Sequence, residues 1–351
     1  MKIKAIEVKN LFSYDDFKIE FNEGNIAVIV GPNNAGKTNL FRVLKFLKDV
    51  INDRIKSGKE IRNYLHKEDK PAKIIVDIKF DENEKHLLET FIECFIKLQL
   101  KSMYKNGIIK KEILNKFINL HLEGQIIWEY KGEYREAPKP YYKISMDEII
   151  KPYIEILKKD RKKSGVSELN CRNGANCTII NKLLDIDIND ELYCIIDRNQ
   201  NQKGNIIFSG KNPIIKTENI FQNFKVNDES LCKWLNDYPS KYHELILLLI
   251  LLKELYTKGL SKNSDGELLH KLENLCNYIG IDINKLNYGI TPKLLLCEFI
   301  IKLFDKAIIR FEEVRGYPEM HDSNYIKLPL NLWVTMLSSH IDTPEKKYRI
   351  K

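Results

Sequence analysis

Eight residues, Gly31-Pro32-Asn33-Asn34-Ala35-Gly36-Lys37-Thr38, stand directly behind the β-branched run Ile26-Ala27-Val28-Ile29-Val30 and ahead of a helical pattern. No other part of the chain constrains its fold as strongly. A short, continuous, apolar run reads as a strand buried on both faces. After Thr38, Leu40, Phe41, Val43, Leu44, Leu47, Val50 and Ile51 recur at helical spacing, with Arg42, Lys45 and Lys48 between them. That spacing predicts an amphipathic helix reaching to about Ser57. Strand, glycine-bounded loop and helix in this order cradle a triphosphate, because backbone N–H groups wrap an anion only where glycines let the loop turn inward. Gly31 and Gly36 supply the bends. Lys37 would meet the β- and γ-phosphates, Thr38 would offer its hydroxyl to Mg2+, and the helix would aim its positive end at the anion. A nucleoside triphosphate with Mg2+ is the expected ligand.

The other elements can be read around this motif. Ile3 to Val8, and Phe17, Ile19 and Phe21 alternating with polar residues, predict two strands, closed by a turn at Asn22-Glu23-Gly24. Beyond a polar stretch with His66, Asp69 and Pro71, the alternation of Ile74, Val76, Ile78 and Phe80 predicts a strand with one wet face. Glu84 to Phe117 reads as helical. Asn119 to Leu122 and Ile126 to Tyr130 read as strands leading to a boundary at Pro138 to Tyr142. Residues 146 to about 230 read as short helices and loops rich in Asn, Gly and Lys. Leu231 to Lys258, Glu267 to Tyr278 and Pro292 to Ile309 carry apolar helical faces broken by Gly259, Gly280 and Gly289. The stripe Leu245, Leu248, Leu249 and Leu252 is expected to be core rather than a subunit interface.

Hydrophobic residues at 43% and charged residues at 30% describe a folded chain, not a disordered one. The longest apolar run, Leu245 to Leu252, falls far short of the roughly 20 residues that cross a bilayer, so the expected location is the cytoplasm, without a membrane partner. Seven scattered cysteines fit reduced thiols, and the spacing of Cys171 and Cys177 is not one that zinc sites use. Net charge is +8, with clusters at Lys158, Lys159, Arg161, Lys162 and Lys163 and at Lys346, Lys347, Arg349 and Lys351. Each fits a solvated helix end, with contact to nucleic-acid phosphate as the sharper alternative.

The N-terminal residues resemble a known group. The β-rich opening with Asn10-Leu11-Phe12-Ser13-Tyr14, then Gly-Pro-Asn-Asn-Ala-Gly-Lys-Thr-Asn-Leu, is similar to the N-lobe of ATPases related to RecF, the structural-maintenance-of-chromosomes proteins and the OLD family. The likeness continues through Tyr64-Leu65-His66-Lys67-Glu68-Asp69 and the strand to Phe80. It implies an α/β, AAA-like ATPase head of ABC type: a P-loop N-lobe with a mixed sheet over residues 1–143, a variable insertion over 144–230, and a largely helical arm or interaction domain over 231–351. It also implies ATP and Mg2+ as cofactors, with Gly31, Pro32, Asn33, Asn34, Ala35, Gly36, Lys37 and Thr38 binding ATP. Thr38 would bind Mg2+, and Gln125 is a candidate second Mg2+ contact, although an exposed turn glutamine fits its place equally well. Implied partners are DNA, in repair, chromosome maintenance or phage defence, and a second copy of the chain across an ATP sandwich.

Such heads also need a strand of four apolar residues ending in Asp-Glu, to position Mg2+ and activate water. The nearest string is Leu192-Tyr193-Cys194-Ile195-Ile196-Asp197, but Arg198 stands where the glutamate is required. Phe208-Ser209-Gly210-Lys211 is a poor version of a signature motif. Leu337-Ser338-Ser339-His340 only superficially matches the expected switch histidine. Catalytic residues are therefore unassigned, and the chain is expected to be an N-terminal half, truncated or completed by a separately encoded partner. The alternatives are a nucleotide-dependent interaction module without hydrolysis, or a different P-loop enzyme such as a GTPase or small-molecule kinase. The string Asn181-Lys182-Leu183-Leu184-Asp185 is one residue too long for guanine selection.

Overall fold

A computed structural model describes residues 1–21, 36–132, 135–164, 183, 187–197, 207–209, 215–216, 228–236, 240–260, 266–285 and 291–313. In chain order these form β1 (Lys2–Leu11), β2 (Tyr14–Glu20), α1 (Lys37–Ile51), α2 (Gly58–Arg62), β3 (Ala72–Lys79), α3 (Glu82–Gln99), α4 (Lys101–Lys105), α5 (Lys111–Leu122), β4 (Glu123–Tyr130) and β5 (Tyr141–Ser145). There follow α6 (Asp147–Ser164), β6 (Tyr193–Asp197), β7 (Ile207–Ser209), β8 (Ile215–Lys216), α7 (Asp228–Leu235), α8 (His243–Thr257), α9 (Gly266–Ile279) and α10 (Pro292–Glu313). The architecture is mixed α/β, and the chain divides into two compact units.

The first unit comprises Met1–Lys79, Gln125–Pro140 and the described residues from Ile300 on. Its strands lie in the order β2, β1, β3, β4. β1 pairs antiparallel with β2, Leu11 facing Tyr14 across a tight connection, and antiparallel with β3, with a register shift between Ile3 and Ala5. Period-two patterning works here as physics demands: Ala72, Ile74, Val76 and Ile78 of β3 are buried while the residues between them are half-exposed. In α1, Leu40, Val43, Leu44, Leu47, Val50 and Ile51 are buried, each worth about 2 kcal/mol of transfer free energy. The helix stops at Ile51, six residues before Ser57, because Asn52 caps it and Asp53 turns into the left-handed region at φ 58°. Phe46 of α1 meets Trp128 of β4 edge-on at 5.0 Å and Tyr64 at 5.1 Å, so an aromatic cluster joins helix, sheet and loop.

The second unit comprises Phe80–Gly124 and Tyr141–Phe299. The antiparallel ladder β5, β6, β7, β8 forms its sheet. α8 is its central helix: Leu245, Leu248, Leu249 and Leu252 are all buried, as are the residues between them, which makes this stripe core. α3, begun by a capping box of Asp81 and Glu84, packs against α8, α9 and α5.

Two readings are corrected. Asn119 to Leu122 is the last turn of α5, not a strand. Its apparent alternation arises because His121 occupies a buried position beside Phe117 and Ile118 on the helix's inner face. Within 146–230, an 18-residue helix, α6, stands where short helices are expected, and it runs on through Pro152 because Ile150, Ile154 and Leu157 bury one face. Cys94, Cys194, Cys232, Cys276 and Cys297 are not joined in disulfides, whereas Cys171 and Cys177 lie outside the described residues.

Candidate functional site

The site is built around the first turn of α1. Gly36 is its N-cap at φ 84° and ψ 3°, a left-handed conformation that costs glycine nothing, and no side chain caps the helix. The first turn carries no acidic residue, and Thr38 is exposed. The first N–H groups of a helix have no partner within it and carry its positive end, so an uncapped, acid-free start suits an anion. These residues fit a bound phosphate and Mg2+. Gly31, Pro32, Asn33, Asn34 and Ala35, the remainder of the phosphate-binding motif, lie outside the described residues, as does the run Ile26 to Val30 expected to form a buried strand.

The connection between β1 and β2 closes over Gly36. The Tyr14 hydroxyl donates to the Gly36 carbonyl at 2.6 Å, and Asn39 Nδ2 donates to Ser13 Oγ at 2.7 Å. A Cβ on Gly36 would stand 3.1 Å from both Ser13 Oγ and Tyr14 Cε1, so this position needs glycine for space as well as for φ. Tyr14 is buried and stacks on Phe17 at 4.4 Å; its burial pushes the phenol pKa up, so the hydroxyl stays a donor.

A second layer holds that connection in place. Asn10 and Phe12 both adopt positive φ, 53° and 54°. Asn10 Nδ2 donates to the carbonyls of Lys67 and Lys70 at 2.8 and 2.7 Å, and its Oδ1 accepts from the Lys67 N–H at 2.7 Å. The Phe12 N–H donates to the Tyr64 carbonyl at 2.7 Å. Lys67 Nζ reaches Asp15 at 2.8 Å, a hydrogen bond that lowers the Asp15 pKa. The loop from Tyr64 to Lys70 is thereby clasped to the end of β1.

Gln125, the candidate Mg2+ contact, is not in a turn between strands but inside β4, and its Nε2 donates to Asp77 of β3 at 2.7 Å. Gly36, Lys37, Thr38 and Gln125 all belong to the first unit. Asp197 belongs to the second: it ends β6, paired with Tyr141 of β5 in an antiparallel ladder. Phe208 and Ser209 sit in β7, while Gly210, Lys211, Arg198, His340 and the string from Asn181 to Asp185, apart from Leu183, lie outside the described residues. Asn10, Ser13, Tyr14 and Asn39 carry the site's supporting contacts, and single-sequence patterns do not flag them, because Asn10 and Tyr14 bond distant backbone groups and Ser13 and Asn39 pair with each other across 26 residues.

A P-loop helix start on a mixed α/β scaffold defines a nucleotide-binding ATPase domain. The AAA ATPase domain family matches residues 1–321, and the chain belongs to that family. Among curated relatives it is 30% identical over 355 residues to an uncharacterized protein of Methanocaldococcus jannaschii, covering 89% of this chain and 43% of that protein. It is also 33% identical over 75 residues to the DNA replication and repair protein RecF of Lactococcus lactis subsp. lactis, 21% of either chain. A 61-residue match at 38% identity links it to RecF of Lactococcus lactis subsp. cremoris, 17% of either chain. The chain thus spans less than half of each of these relatives. No solved structure matches it. Among the described residues no helix is long and apolar enough to cross a membrane.

Proposed function

We propose that this chain is the nucleotide-binding part of a DNA-associated ATPase, close to the RecF, chromosome-maintenance and OLD group within its family. The observation that carries the reading is the uncapped, acid-free start of α1 at a left-handed Gly36, inside a P-loop sequence. Lys37 neutralises the β- and γ-phosphates, while the Thr38 hydroxyl and the Gln125 amide oxygen hold Mg2+. Mg2+ supplies charge neutralisation at the phosphates. A carboxylate-bearing strand completes the site from a longer chain, a second copy or a separate partner, and the 43% coverage of the Methanocaldococcus relative fits the first of these. The DNA role is supported by the similarity to RecF, a DNA replication and repair protein, and by the basic last turn of α6, Arg161, Lys162 and Lys163.

A binding module without hydrolysis is the second reading, favoured by the position of Asp197 at the end of an antiparallel ladder. Mg2+-dependent ATP turnover, alone and with DNA, beside Lys37→Ala, tests both. Turnover lost in the variant supports the ATPase. ATP binding lost in the variant, with no turnover in either protein, supports the module, and an unchanged ATP affinity in Lys37→Ala sinks both. Competition between ATP and GTP tests the base preference.

A further inference from the structure

The Gly36 carbonyl accepts two hydrogen bonds, one from the Asn39 N–H within the helix at 2.8 Å and one from the Tyr14 hydroxyl outside it at 2.6 Å. No described peptide bond is cis, and in a trans peptide the N–H points opposite to the C=O. Tyr14 therefore binds one side of the Gly36–Lys37 peptide, and the Lys37 N–H is directed away from the Tyr14 hydroxyl. Glycine leaves the ψ on its side of that peptide weakly restrained, so the two hydrogen bonds to its carbonyl, with the helical φ of Lys37, set the peptide's orientation. A peptide turned away from that orientation would swing the carbonyl oxygen toward a phosphate, replacing an attractive donor by a repulsive acceptor.

We propose that Tyr14 is a positioning residue for nucleotide binding, whose hydroxyl holds the Gly36–Lys37 peptide in the orientation that presents the Lys37 N–H to the phosphates. This rests on the reading that the loop binds ATP. Turning the peptide away breaks both bonds to the Gly36 carbonyl. The Ser13 contact with Asn39 at 2.7 Å ties the same connection to the first turn of α1, and the Phe17 ring backs Tyr14 from behind. Tyr14 is thus an arm reaching from the edge of the sheet to the last glycine of the phosphate-binding motif.

The test is the binding of MgATP and MgADP by titration calorimetry, with the melting temperature of the nucleotide-free protein, for wild type, Lys37→Ala, Tyr14→Phe and Phe17→Leu. Tyr14→Phe keeps the ring and removes one hydrogen bond, and the expected result is a Kd for both nucleotides raised about five- to tenfold. Phe17→Leu weakens the packing but leaves the hydroxyl bond, so its melting temperature falls while Kd stays within about twofold of wild type. Equal Kd values for Tyr14→Phe and wild type overturn the inference, and so does a rise in Phe17→Leu as large as in Tyr14→Phe. Failure of wild type to bind either nucleotide, or full binding by Lys37→Ala, refutes the phosphate-loop reading instead. Should Tyr14→Phe not fold, Ser13→Ala takes its place: a Kd raised about two- to threefold supports the device, and an unchanged Kd overturns it.

Discussion

Replacing Asn10 by alanine should cost about 3–4 kcal/mol, far more than its place at the end of an ordinary strand suggests. Asn10 is 2% exposed, and its amide makes three hydrogen bonds of 2.7–2.8 Å to the backbone of Lys67 and Lys70. Each is worth about 1 kcal/mol net, and partial rehydration of the loop leaves about 2–3 kcal/mol. Alanine must also hold φ 53°, which adds about 1 kcal/mol. Asn10→Gly loses the same bonds but not the strain, so it should be about 1 kcal/mol less destabilised than Asn10→Ala, the reverse of the usual order within a strand. Urea unfolding followed by tryptophan fluorescence measures both, since the fully buried Trp128 reports on the unit that contains Asn10. A loss below about 0.5 kcal/mol for Asn10→Ala, or a glycine variant less stable than the alanine one, would refute the idea that this side chain clasps the loop.

Gly124→Ala should destabilise the second unit by about 1–3 kcal/mol, because a Cβ there would stand 2.4 Å from Tyr142 Cζ and 2.6 Å from the Lys143 carbonyl. Tyr142→Phe should not rescue it in thermal melts, since ring carbon and carbonyl remain. His121 is fully buried, and desolvation lowers its pKa from 6.5 to about 4. Its neutral form belongs to the fold, so its contribution is complete above about pH 6.5 and is lost as pH falls toward 4, by about 3 kcal/mol in all. The stability of wild type relative to His121→Leu, measured by denaturation across that window, should fall as the solution is acidified; a flat difference would contradict the burial argument. A double-mutant cycle of Gln125→Ala and Asp77→Ala should give a coupling of about 1 kcal/mol in unfolding free energy, and zero coupling would remove the bond that fixes Gln125 in β4.

Local pattern determined much of this protein. The period of α1 and the alternation of β3 can be read from single residues, because burying one face of a helix or strand leaves a repeat of fixed length in the chain. The phosphate-binding motif was legible for a related reason: its glycines, lysine and threonine fall within eight consecutive positions. Where a polar residue entered a core position the pattern misled, as at His121, whose burial made the end of a helix look like a strand. Tertiary structure alone decided what stands around the motif. Tyr14 reaches Gly36 across 22 residues and Asn10 reaches Lys67 across 57. Both bind backbone carbonyls, which every residue possesses, so neither contact leaves a mark in the sequence. Only folding, by bringing the end of β1 against the start of α1 and the loop from Tyr64 to Lys70, turns Asn10 and Tyr14 into supports of the site.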